Sequence, residues 1–270
     1  MGVRRTVVVV FAVVVATGAC SGGGGSSTRA ASTTPTTSAS TTPTTPATVV
    51  AGTITATIAP EALRLGEDAG IDLSGETRKI LERVDSLLHI SAPVAVSVVV
   101  KPEAAIPEVG VGGFTDPASG AVFISLSAHA RVPVSESLTV WLREALSHEL
   151  DHSKRILDGP GYGTTLGEVL VTDGLADTFS VYAYPKTPPI PWDEALQPNE
   201  LNRLGAIARD NAAMADTGEV FSRWFLGAGN LPRWAGFTIG ASWVRHFLTT
   251  HPQTDVTAAT ELTANKIIGQ

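Results

Sequence analysis

The chain has 270 residues, a net charge of -7, 43% hydrophobic residues and a single cysteine. An acidic chain with no basic run beyond its first residues offers no electrostatic footprint for nucleic acid, so none is expected as a partner. One cysteine excludes both an intrachain disulfide and a cysteine-built zinc site, which leaves histidines and carboxylates to hold any transition metal.

The first residues are basic (Arg4, Arg5) and are followed by an apolar run from Val7 to Ala16 and then Thr17-Gly18-Ala19-Cys20. The run is short for a permanent membrane span and suits the h-region of an export signal over residues 1–19. The small residues leading into Cys20 resemble the lipobox of bacterial lipoproteins. That resemblance implies an acylated Cys20 as mature N-terminus and a lipid anchor at the outer face of the cytoplasmic membrane. Residues 20–48 are mostly Gly, Ser, Thr, Pro and Ala. Such a composition buries too little surface to offset ordering entropy, and is expected to form a disordered tether. A folded domain is expected over 49–270, large enough for a substantial core.

Within it, Ala51 to Ala59 is a weak strand candidate, and Glu76 to His89 places Ile80, Leu81, Val84, Leu87 and Leu88 at helical spacing. Pro93 to Lys101 is β-branched and reads as a buried strand. Val109 to Phe114 and Ala121 to Leu126 flank the turn-rich Thr115–Gly120 and predict a hairpin. A helix is expected from an N-cap at Ser135 to about Leu157, stopped by Gly159-Pro160. Thr165 and Glu168 form a capping-box signature opening a second helix to about Tyr182. Four prolines between 185 and 191 force an extended stretch. Helices are then predicted over Asn199 to Ala215, Glu219 to Leu226, Thr238 to Thr249 and Asp255 to Ile268. The tryptophans read as core.

The first of these long helices contains His148-Glu149-Leu150-Asp151-His152. Residues four apart share one helix face, so His148 and His152 can present two imidazoles to one metal, with the Glu149 carboxylate beside them to act on water. A catalytic zinc usually needs a third protein ligand. The second helix is apolar nearly throughout but carries Asp173 and Asp177 at i and i+4. A carboxylate on so apolar a helix needs a cation or hydrogen-bond partner. Asp173 is the expected third ligand, and Asp177, one turn on, is expected to orient a ligating imidazole. Glu168 is accounted for by its cap. His246, Tyr162 and His129 are candidates for stabilising negative charge that develops beside the metal.

This pattern, with an acidic residue about twenty positions beyond the second histidine, resembles the gluzincin class of zinc peptidases. Three segments, SHELDHSK (147–154), TLGEVLVTDGLADTF (165–179) and RWFLGAGNLPRWAGFTIGASWV (223–244), resemble a bacterial family of zinc-dependent proteases of unknown substrate. The chain departs from that family's pattern at Asp173, where glutamate is usual, and at Phe237, where a phenol is common. The resemblance implies an α+β zincin-like domain: a small twisted sheet, an active-site helix and a mostly helical C-terminal half. It implies one zinc per chain and peptide-bond hydrolysis by metal-activated water, with Glu149 as general base. Substrate would be a peptide or protein of the cell envelope, aligned on an edge strand for which Ala121 to Leu126 is the candidate. The alternative is a catalytically silent zincin-like binding module at the envelope.

Overall fold

The computed structural model describes residues 44–185 and 187–269; the expected signal, Cys20 and most of the expected tether lie outside the described residues. Among the described residues, five strands and ten α-helices form an α+β domain with the sheet in the N-terminal half. The strands are β1 (Ala47–Ala51), β2 (Ile54–Ile58), β3 (Val94–Val100), β4 (Val111–Thr115) and β5 (Val122–Leu126), in the spatial order β1-β2-β3-β5-β4. β2, β3 and β5 run parallel, while β1 and β4 pair antiparallel at the two edges.

Between β2 and β3 the chain makes α1 (Pro60–Asp68) and α2 (Leu73–Leu88). Alternate residues Ile54, Ala56 and Ile58 are buried while Thr55 and Thr57 are exposed. One sheet face therefore carries the core, and the other faces water. Ile80, Leu81 and Val84 of α2 join that core, completing the period of 3.6 legible in the sequence.

Beyond the sheet, a short α3 (Val134–Glu136) passes through a π-helical turn (Ser137–Trp141) into α4 (Leu142–Asp158). α5 (Leu166–Ala183) packs against α4 and against α8 (Ala235–Thr250), with α6 (Pro198–Asp210) and α7 (Gly218–Phe225) around them. α9 (Val256–Ala259) and α10 (Ala264–Ile268) close the chain. Among the described residues no helix is long and apolar enough to cross a membrane.

Several expectations are corrected. β5 lies between β3 and β4, so Ala121 to Leu126 is interior and the free edge near α4 is β4. Ser135 is not an N-cap: the helix starts at Val134 after Pro133, with no side-chain cap. The helix expected over Asp255 to Ile268 is two segments, because the carbonyls of Thr260 and Leu262 accept from the buried Arg155 guanidinium instead of continuing a helical ladder. Strand β1, Gly/Thr-flanked and short, carried no recognisable pattern of its own.

Candidate metal centre

α4 is buried along almost its whole length, polar residues included: Ser147, His148, Glu149, Asp151, His152 and Arg155 are all in the interior. Several of the helix's buried polar groups are tied to neighbouring elements. Asp151 accepts from Thr260 Oγ1 (2.7 Å), Ser153 donates to Gly120 O (2.8 Å), and Arg155 Nε donates to Thr172 Oγ1 on α5 (2.9 Å). These bonds fix the rotation of α4 about its axis, so His148 and His152 both face α5.

α5 is opened by the capping box read from sequence, with Thr165 and Glu168 satisfying each other's backbone N–H groups. Behind the site, α5 touches α8 backbone to backbone. A Cβ added at Gly174 would lie 2.2 Å from Gly240 C, and one at Gly240 would lie 1.9 Å from Leu170 O. Only glycines permit that approach. With Gly174 turned to α8, its neighbour Asp173 is turned to α4.

Asp173 Oδ1 stands 3.7 Å from His148 Nε2 and 3.7 Å from His152 Nε2. That is too long for hydrogen bonds. Donors sharing a tetrahedral zinc at 2.0–2.1 Å lie about 3.3 Å apart. The three ligand atoms lie within 4.8 Å of one another, all buried, and are of the types zinc prefers. The residues present therefore fit a zinc ion.

Asp177 Oδ1 sits 2.8 Å from His148 Nδ1 and also accepts from Trp192 Nε1 (3.2 Å). His148 is thus held with Nε2 toward Asp173, while His152 Nδ1 is buried with no hydrogen-bond partner among the described residues. Glu149 lies under the free edge strand, where Thr115 Oγ1 donates to its Oε2 (2.6 Å). Tyr162 donates to Asp173 Oδ2 (3.3 Å), and its ring stands edge-on to His152 at 5.1 Å. His129 and His246 are exposed.

The electrostatics follow from crowding carboxyls in a dry interior. Burial opposes charge on Asp173, yet the two imidazoles hold its carboxyl below the usual range. Burial would lower His148, but Asp177 and Asp173 outweigh it and hold the ring well above its ordinary value. Burial first, and then neighbouring carboxylates, push Glu144 and Asp193 each up to about 8. Asp216 is raised to about 6 by burial and by Asp173, and burial raises Tyr162 well above an ordinary phenol.

Sequence reasoning did not single out Thr115, Glu144, Trp192 or Asp193. Glu144 had a signal, being one turn ahead of His148 on the same stripe. Trp192-Asp193 had none, since it reaches Asp177 only through the Pro-rich crossing between α5 and α6.

A family model described as "Predicted Zn-dependent protease (DUF2268)" matches residues 79–269. That span takes in β3 through α10, including both ligand-bearing helices. Neither the search of curated proteins nor that of solved structures found a match.

Proposed function

The chain belongs to the family of predicted Zn-dependent proteases, and from that premise we propose an exported, lipid-anchored zinc peptidase acting on peptides or proteins of the cell envelope. One zinc per chain is held by His148, His152 and Asp173. The observation that carries this reading is the convergence of those three buried donors from α4 and α5, with the Glu149 carboxylate on the same turn of α4. When bound, zinc supplies Lewis acidity, polarising the scissile carbonyl and bringing the pKa of water toward about 7.

The chain's own residues do the rest. Glu149 accepts the proton of the attacking water and passes it to the leaving amine. Asp177 keeps His148 in one tautomer and orientation, and Trp192 in turn holds Asp177. Tyr162, half-buried and kept as a neutral phenol, is the donor assigned to the developing oxyanion, to which it turns the proton it otherwise gives Asp173 Oδ2. An extended substrate backbone adds to the outer edge of β4, above Glu149.

The test measures zinc content and cleavage of a diverse peptide library by the full-length protein and its Glu149→Gln variant. Both should hold zinc, and only the wild type should cleave. Absence of zinc from the wild type overturns the reading. Zinc in both with cleavage by neither favours a silent envelope binding module, as the Asp173 and Phe237 departures would allow. Tyr162→Phe should lower kcat by about a hundredfold.

A further inference from the structure

Two features of β4 have no role in that mechanism: the buried hydroxyl of Thr115 and the missing side chain of Gly113. Alternate residues of a strand share a face, and both point down at α4. We propose that Thr115 and Gly113 are positioning residues that together set the place of the Glu149 carboxylate. The proposal rests on reading Glu149 as the general base.

Thr115 is 4% exposed, and its hydroxyl has a single proton to give. It lies 2.6 Å from Glu149 Oε2 and 2.9 Å from the Glu149 backbone oxygen. A hydrogen bond to a charged acceptor is the stronger, so the proton goes to Oε2. The backbone oxygen lies inside α4, where the helical N–H four residues on already serves it. Oε2 is thereby tied to the strand.

The other carboxylate oxygen is placed by shape. A Cβ at Gly113 would lie 2.3 Å from Oε1, 2.5 Å from Cγ and 2.7 Å from Cδ of Glu149. The φ of Gly113 is outside the left-handed region, so its backbone does not require glycine. The carboxylate does. Glutamate has three side-chain torsions, and a base misplaced by about 1 Å loses on the order of a hundredfold in rate. The strand that would align the substrate therefore also aligns the base, tying the two positions to one rigid element.

The experiment compares Thr115→Val, which removes the hydroxyl at nearly constant volume, with Thr115→Ser, which keeps it, in the zinc-loaded full-length protein. Crystal structures locate Glu149, and zinc content, kcat and KM are measured alongside. In Thr115→Val the carboxylate should leave its place and kcat should fall about 10- to 100-fold. Zinc content and KM should stay near wild type, and Thr115→Ser should restore both position and rate. An unmoved carboxylate in Thr115→Val overturns the proposal, as does a displaced one with unchanged kcat, or a serine variant no better than valine. If the wild type cleaves nothing, the peptidase reading falls, while the position of Glu149 in the valine and serine variants still decides this one. Should Thr115→Val fail to fold, Gly113→Ala probes the same carboxylate with Thr115 intact. A displaced Glu149 at unchanged zinc content supports the proposal, and an undisturbed one overturns it.

Discussion

Glu144→Gln gives a pH signature that isolates one consequence of burying the site. Glu144 is 4% exposed, and its Oε1 has no hydrogen-bond partner among the described residues. Burial moves its carboxyl from an ordinary 4.5 to about 8. In the unfolded chain the group ionises near 4.5; in the folded protein it holds its proton to about 8. Between those values the unfolded state binds fewer protons, so stability falls as pH rises, by about 1.4 kcal/mol per pH unit. Below pH 4.5 the group costs nothing, and above about 8 its cost is complete, at about 5 kcal/mol. Glutamine cannot ionise and escapes this dependence. Denaturant melts of the zinc-free proteins at pH 5, 6, 7 and 8 should show the variant gaining on wild type steadily with pH. The slope carries the result, because a buried amide adds an offset of either sign that does not vary with pH. A gap between the two proteins that stays flat from pH 5 to 8 would refute the argument.

Asp177→Asn keeps an acceptor for His148 Nδ1 but removes the charge behind it, and should weaken zinc binding about 10- to 100-fold in a chelator competition. Gly240→Ala forces a methyl to within 1.9 Å of Leu170 O, so α5 and α8 must part; the denaturation midpoint should drop by the equivalent of about 3 kcal/mol. Cys20→Ser should move the protein from the membrane fraction to the soluble one if Cys20 carries the anchor. Zinc binding at pH 7 should release at least one proton per ion, read by calorimetry in buffers of different ionisation enthalpy. The first comes from His148, which its carboxylate neighbours hold protonated in the zinc-free protein.

The long, periodic elements were legible because their burial is one-sided. α2 showed a period of 3.6, and α5 announced its start with a capping box. The pairing of α4 with α5 could be read because carboxylates on an otherwise apolar helix demand a partner. Sheet order could not be read. β4 and β5 form the expected hairpin, but which strand faces outward depends on β5 pairing with β3, a non-local choice that no local pattern encodes. The break between α9 and α10 was hidden for the same reason: its cause, Arg155, is more than a hundred residues away in sequence. Thr115 looked like the first residue of a turn, and only the register of β4 over α4 turns it toward Glu149.

The short arm of Asp173 bears on how the site is assembled. An aspartate reaches less far than a glutamate, yet Oδ1 stands equally distant from both imidazole nitrogens, so helix placement supplies the missing reach. That placement is set from behind by the Gly174–Gly240 contact and from the side by Arg155, which ties α4 to α5 through Thr172. The interior so formed holds Glu144, Glu149, Asp151, Asp173, Asp177 and Asp193 against two histidines, Arg155 and the partly exposed Arg245. Without a cation this excess would be relieved by protons, the direction in which burial and neighbouring carboxylates push Glu144 and Asp193. A divalent ion bound by His148, His152 and Asp173, as proposed, would relieve it by charge. The same crowding that costs the zinc-free protein stability would therefore favour metal binding, and the proposed site would couple folding and metal affinity through one set of buried carboxyls.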